Sequence, residues 1–214
     1  MVADITSDGA KLLEIEKSGT ARVYTGSGGT FTLAQTLTLS ASSTDIQAGA
    51  ITDDADWIAV GTFDTNKVDV FKWSGSTYDI NQTISVGSSV RNIALTPDHS
   101  FMVVATSTTD VIIYKHSGTQ FNTLQTINGF SASGDKLAFI TSDHLQLFIT
   151  DKTDQKLYRY SFNEGSQQFQ ALQSNAVTAY SSFLFYPSLS QSEQFFSVTE
   201  DNKAYIYTNN RWFW

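Results

Sequence analysis

Cysteine is absent from the 214 residues. That removes disulfides, thiolate metal sites and a cysteine nucleophile from any account of the chain, and it leaves the redox compartment open. Proline is nearly absent as well, with only Pro97 and Pro187. Cations are scarce: 13 Lys and Arg against 21 Asp and Glu give a net charge of -8 and a pI near 4.7. Phosphate backbones and anionic membranes recruit clustered Lys and Arg, so no nucleic-acid partner is expected. Long hydrophobic runs are missing too; the longest, such as residues 101–105, fall far short of a membrane span, and no membrane insertion is expected. The opening Met1-Val2-Ala3-Asp4 has neither a basic region nor an apolar segment, so no signal peptide is expected in the sequence as given. No stretch shows the apolar periodicity of an amphipathic helix.

What is present is a repeat. Turns led by aspartate recur at Asp8-Gly9, Asp54-Ala55, Asp98-His99 and Asp143-His144, at separations of 46, 44 and 45 residues. An apolar run of strand length follows each turn, at 12–15, 57–60, 101–105 and 145–149, with a fifth at 195–198. After a polar loop comes a second run ending in an aromatic, at Tyr24, Phe71, Tyr114, Tyr160 and Tyr207. A third run carries Gln35-Thr36-Leu37, Gln82-Thr83-Ile84 and Gln125-Thr126-Ile127, with worn copies at 169–173 and 211–214. Leader runs at 3–6, 46–52, 90–96, 136–141 and 179–186 complete the unit.

Four short strands per 44–46 residues cannot bury their own apolar faces and must stack on copies of themselves. The expected fold is therefore an all-β propeller in one domain, with four-stranded antiparallel blades at about 1–39, 45–86, 90–127, 136–174 and 179–214. Five blades closing by apolar packing is the first expectation. A fragment of a six- or seven-bladed propeller, or an open ring completed by another chain, is the alternative. Both prolines are expected at the turn between the leader and the first run. His99 and His144 stand where the first repeat has Gly9, which predicts a left-handed backbone there.

The unit Thr96-Pro97-Asp98-His99, an apolar strand, a polar loop ending in Asp110, then Val111-Ile112-Ile113-Tyr114-Lys115 resembles a WD-repeat or YVTN-type blade. The aromatic series stands where the WD-repeat family has its Trp. The Asp that follows it in that family is replaced by Thr25, Lys72, Lys115, Ser161 and Thr208, and no Gly-His pair precedes the repeats. The resemblance implies a propeller relative without the family's buried His–Asp network.

Several short stretches carry residue types that catalysis or ion binding uses. Asp98-His99-Ser100 has the residue types of a hydrolytic triad, but neighbours on one tight turn point apart. Asp53, Asp54 and Asp56 lack the alternating donors and distal Glu of a calcium loop. Gly26-Ser27-Gly28-Gly29 joins two strands without a Lys or a helix, as a hairpin does and a phosphate loop does not. His116 is expected in a solvated hairpin. No metal, cofactor or catalytic residue is therefore expected.

The loops between the first and second runs share an acid-to-Lys pattern: Asp64, Asn66 and Lys67, then Asp151, Asp154 and Lys156, then Asp201 and Lys203. They are expected on one rim, as turn residues or as a binding surface. Trp73, Trp212 and Trp214 are candidate exposed anchors, and Asn81-Gln82-Thr83 is a glycosylation sequon if the protein is secreted by a eukaryote. The expectation is a non-enzymatic platform for a protein partner or for self-association, with a glycan-binding lectin as the alternative. An enzyme of the lactonase or quinoprotein kind ranks third, on fold analogy alone. Sparse charge, the polar composition and the sequon lean towards a secreted or surface location.

Overall fold

The computed structural model describes residues 2–131, 136–154, 156–176, 188–189, 195–200 and 203–208, and the side chains among them up to residue 172. Every regular element among them is a strand. Blade 1 comprises Val2–Ile5 (β1), Lys11–Glu16 (β2), Thr20–Ser27 (β3) and Thr30–Thr36 (β4). Blade 2 comprises Ile46–Ile51 (β5), Trp57–Thr62 (β6), Lys67–Trp73 (β7) and Tyr78–Ser85 (β8). Blade 3 comprises Val90–Leu95 (β9), Phe101–Thr106 (β10), Val111–His116 (β11) and Phe121–Ile127 (β12). Blade 4 comprises Lys136–Ile140 (β13), Gln146–Asp151 (β14), Lys156–Asn163 (β15) and Gln168–Ala176 (β16). A fifth sheet holds Ser188–Leu189 (β17), Phe195–Glu200 (β18) and Lys203–Thr208 (β19). Strand order follows sequence order in all five, and the pairing is antiparallel throughout.

The sheets radiate rather than face one another in two layers. Inner strands pack on inner strands in succession, β1 on β5, β5 on β9 and β9 on β13, whereas among the described residues the outer strands of neighbouring blades touch far less, β12 and β16 most of all. This is a propeller. Each seam between blades has its own apolar core, the first around Leu13, Val23, Ile58 and Phe71, the second around Ala59, Val70, Met102 and Val104, the third around Val103, Ile113, Leu147 and Ile149. A blade between two others must be apolar on both faces. The strands β6 (WIAVGT) and β10 (FMVVAT) accordingly bury every residue, as strands covered on both sides do.

The turn between first and second strands is built by side chains. Thr6, Thr52, Thr96 and Thr141 each accept, through Oγ1, the N–H five residues on, at 2.9–3.1 Å. The same hydroxyl donates to Asp8, Asp54 and Asp143 at 2.7, 2.6 and 2.5 Å. All four aspartates also accept the N–H two residues on, at 2.9–3.1 Å, and in blade 3 Asp98 accepts the Ser100 hydroxyl as well (2.7 Å). These aspartates shape turns. The φ angles of +69° at Gly9, +56° at Ala55, +51° at His99 and +50° at His144 show the left-handed position that the repeat alignment predicts.

The outer strands carry a device the repeat comparison passes over. A bulge interrupts β3–β4, β7–β8 and β11–β12, and just beyond each stands a glutamine whose amide reaches the next blade. Gln35 Nε2 donates to the Tyr78 carbonyl (2.9 Å) while its Oε1 accepts the Tyr78 N–H (2.8 Å). Gln82 holds both backbone groups of Phe121 (3.0 and 2.9 Å), and Gln125 those of Phe169 (2.9 and 2.7 Å).

The fifth sheet departs from expectation. The leader expected at 179–186, Pro187 and the last run at 211–214 lie outside the described residues. The strand that pairs with β18 is Ser188–Leu189, through Ser188 with Ser197 and Leu189 with Phe196.

Candidate active site

The innermost strands converge on the propeller axis. Where β1, β5, β9 and β13 run into their turns they enclose an open cavity of about 950 Å³. Its apolar wall is Ile93, Leu95, Pro97, Phe139 and Ile140; its polar wall is Asp4, Asp53, Ser7 and Ser142. Concave sites with an apolar wall and a few converging polar groups are where small molecules bind.

Asp4 is the unusual residue. It stands on β1 where the other repeats have Ala50, Ala94 and Phe139, so the repeat asks for no carboxylate there. One oxygen accepts the Ile51 N–H (2.9 Å), the other its neighbour Ile5 N–H (3.0 Å). Burial pushes its carboxyl above the ordinary carboxylate value of 3.8; the two amide bonds oppose that shift, and Asp53 adds to it by charge repulsion. Asp53 is held in place by accepting the Ser7 N–H (3.0 Å). The fold thus brings together two carboxylates from different blades, one with a raised pKa, beside two hydroxyls in a concave site. That is the inventory of general acid–base chemistry.

None of these stands among the site residues expected from the sequence, where Asp53 belongs to a surface acidic turn and Asp4 to a leader run. The available signal was Asp4 itself, a carboxylate at a small or apolar position of the innermost strand.

The rim residues expected to bind are mostly engaged in holding loops. Asp64 accepts the Ser43 hydroxyl (2.6 Å), the Thr44 N–H (2.7 Å) and the Thr44 hydroxyl (3.1 Å). Those bonds, Ser43 foremost, keep its carboxyl below the ordinary value. Asn66 takes the left-handed turn position at φ +57°, and Lys67 opens β7 with its N–H donated to Thr62 Oγ1 (3.2 Å). Asp151 is fully buried and accepts the amides of Ser131 (2.8 Å), Thr153 (3.0 Å) and Asp154 (3.2 Å). Asp154 accepts the Tyr158 hydroxyl at 3.4 Å, and Lys156 opens β15. Asp201, Trp212 and Trp214 lie outside the described residues; Lys203 opens β19, its side chain undescribed.

Trp73 is half-buried against the core of the first seam, 4.9 Å from the Tyr78 ring and covered by the Lys11 ammonium at 5.3 Å. Asn81 is exposed on β8 and donates its amide to the Thr119 carbonyl (2.9 Å). His116 is not the solvated hairpin residue expected: it ends β11 with its ring 4.8 Å from Trp57, 4.9 Å from Phe121 and 5.0 Å from His99. The left-handed turn brings the His99 ring against Trp57 and His116.

No protein-family model matches this sequence, and no curated protein matches it. Solved structures do. A candidate 6-phosphogluconolactonase of Bacteroides uniformis superposes with a TM-score of 0.77 at 13% identity, over 97% of this chain and 66% of its own. The periplasmic gluconolactonase PpgL of Pseudomonas aeruginosa gives 0.73 at 16%, over 96% and 65%. A Lactobacillus plantarum protein gives 0.77 at 17%, over 96% and 66%. Identities this low establish a shared propeller fold, and the chain spans just under two thirds of these structures' length.

The comparison corrects the functional expectation. The non-enzymatic interaction or self-assembly scaffold, and the lectin offered beside it, rested on the lack of any converging catalytic set. Structures with the same fold carry lactonase names, and the propeller axis brings Asp4 and Asp53 into one cavity. Single turns hold no such set; the fold assembles it across blades.

Proposed function

We propose that this chain is part of a lactonase-like propeller that opens a sugar lactone in its axial cavity. The observation that carries the reading is the Asp4–Asp53 pair in a partly apolar pocket; its support is the fold shared with structures named as lactonases.

Lactone opening needs a proton taken from water and a proton returned to the leaving oxygen. The Asp4 carboxylate, made more basic by burial, takes the proton as the water oxygen adds to the ring carbonyl carbon. The tetrahedral intermediate collapses, the ring C–O bond breaks, and the departing alkoxide takes the proton back from Asp4. The product is an open-chain hydroxy acid. Asp53 adds to the basicity that burial gives Asp4 and holds the Ser7 turn, and the Ser7 and Ser142 hydroxyls are the neutral hydrogen-bonding groups beside the sugar.

The reading extends to kinship and location. The repeat is taken as a relative of WD- and YVTN-type blades, supported by the recurring aspartate turn and the aromatic series. The chain is taken as a secreted or periplasmic protein, supported by the periplasmic neighbour, and cell fractionation tests that.

The enzymatic reading is tested by following acid release from glucono-δ-lactone against the spontaneous rate. The wild-type chain is expected to exceed that rate and Asp4→Asn to fall about a hundredfold, in line with the loss of a general base. The wild-type rate should fall on acidification at a pH above the ordinary carboxylate range, following protonation of Asp4. A wild-type rate equal to that of buffer overturns the reading.

A further inference from the structure

The axial cavity has a charge character that bears on which lactone it takes, and the argument rests on the lactonase reading above. Two carboxylates, Asp4 and Asp53, line it, and no Lys, Arg or His side chain does so among the described residues. Sites for phosphate esters are built from Arg, Lys or converging backbone N–H groups. Here the Ile5, Ile51 and Ser7 amides beside the carboxylates donate to those carboxylates instead.

The inner strands do carry cations, but at their other ends. Arg91 and Lys136 each lie four residues from the cavity end of their strands, Leu95 and Ile140, or about 13 Å along an extended strand. Both are occupied there. Arg91 donates to Gln47 Oε1 (2.8 Å) with its guanidinium 4.4 Å from the Phe63 ring centroid, and the fully buried Lys136 ammonium donates to the Thr108 and Ser131 carbonyls (2.5 and 2.6 Å). A hexose lactone reacting beside Asp4 is too short to bring a 6-phosphate to them.

We infer that the substrate is an uncharged lactone, and that Asp4 and Asp53, lining the cavity, act as an anion filter that rejects phosphorylated and other anionic sugars. The filter also favours turnover, since the carboxylate product is repelled by the pair that remains.

The test compares glucono-δ-lactone with its 6-phosphate ester on the wild-type chain. The neutral lactone is expected to show a kcat/KM at least about tenfold higher, the order that like-charge juxtaposition produces. Asp53→Asn, which keeps an acceptor for the Ser7 N–H, should shrink that ratio, as should raising the salt concentration. Inorganic phosphate should not inhibit at millimolar concentration. Equal or faster opening of the phosphate ester, or competitive inhibition by inorganic phosphate, overturns the filter while leaving the lactonase reading standing. Opening of neither lactone above the buffer rate removes both.

Discussion

The face that blade 1 turns away from blade 2 and the corresponding face of blade 3 are built on the same strand positions and differ in chemistry. At one position blade 1 has Glu14, paired with Ala3 and Arg22; blade 3 has Val104, paired with Ile93 and Ile112. Val104 is fully buried in the second seam. Glu14 instead accepts the Tyr24 hydroxyl (2.6 Å) and faces Arg22, which also bonds Glu16. Towards its other end the blade 1 face is apolar yet open, with Ile5, Phe31 and Leu33 exposed by 49%, 42% and 50%. One backbone plan thus supports an interior face and a half-charged one, and the side chains alone decide which.

Four substitutions sharpen or break that comparison. Val104→Glu copies the blade 1 residue into the second seam; an unpaired buried charge should cost about 4 kcal/mol or more, read as loss of a cooperative urea transition or a sharply lower midpoint. A variant close to wild type would show that the seam is wet and the comparison mistaken. Trp57→Ala empties the ring packed beneath His99, His116 and Phe121 and should cost about 3–5 kcal/mol, measured the same way. Gln82→Ala removes both clamping bonds to Phe121 and should cost about 1–3 kcal/mol, with amide exchange accelerating at Phe121. Glu14→Val, the reverse of the first change, should alter stability by less than about 1 kcal/mol. A large loss there would mean that the blade 1 face is an interior one.

Asp4 gives a comparison of its own, between a site chosen for chemistry and a core chosen for stability. Its pKa is raised in the folded protein, so the folded state binds the proton more tightly than the unfolded one. The sign follows: Asp4 costs stability as pH rises from the unfolded value near 3.8 through the raised folded value, and the cost is relieved on acidification. Asp4→Asn removes that charge but leaves one of the two amides, Ile5 or Ile51, without its acceptor, so it is expected to change the melting temperature at pH 7 little while activity falls. A parallel loss of both would make Asp4 a structural residue.

Most of the fold was legible because its signals are local and repeated. The aspartate turns, the aromatic within each third strand and the runs between them appear once per blade, so each copy corroborates the others. Even the left-handed backbone at His99 followed from alignment with Gly9. Legibility failed where the relevant neighbour lies in another blade. Asp53 looks like a turn residue because its role depends on the turn after β1, 46 residues earlier at Ser7. His116 looked solvated because Trp57 and His99 come from elsewhere in the chain. The glutamines of the outer strands were visible as a motif, but their partners, about 40 residues on, were not.

The sequence by itself determined the all-β class, the four-strand unit and its period, since strand length, turn chemistry and alternation act over a few residues and need no knowledge of the rest. Only the tertiary structure decided which faces became seams, which turn residues met across blades, and that Asp4 and Asp53 would share a cavity. Those outcomes depend on the distance of each residue from a common axis, and that distance is a property of stacked blades rather than of any one of them.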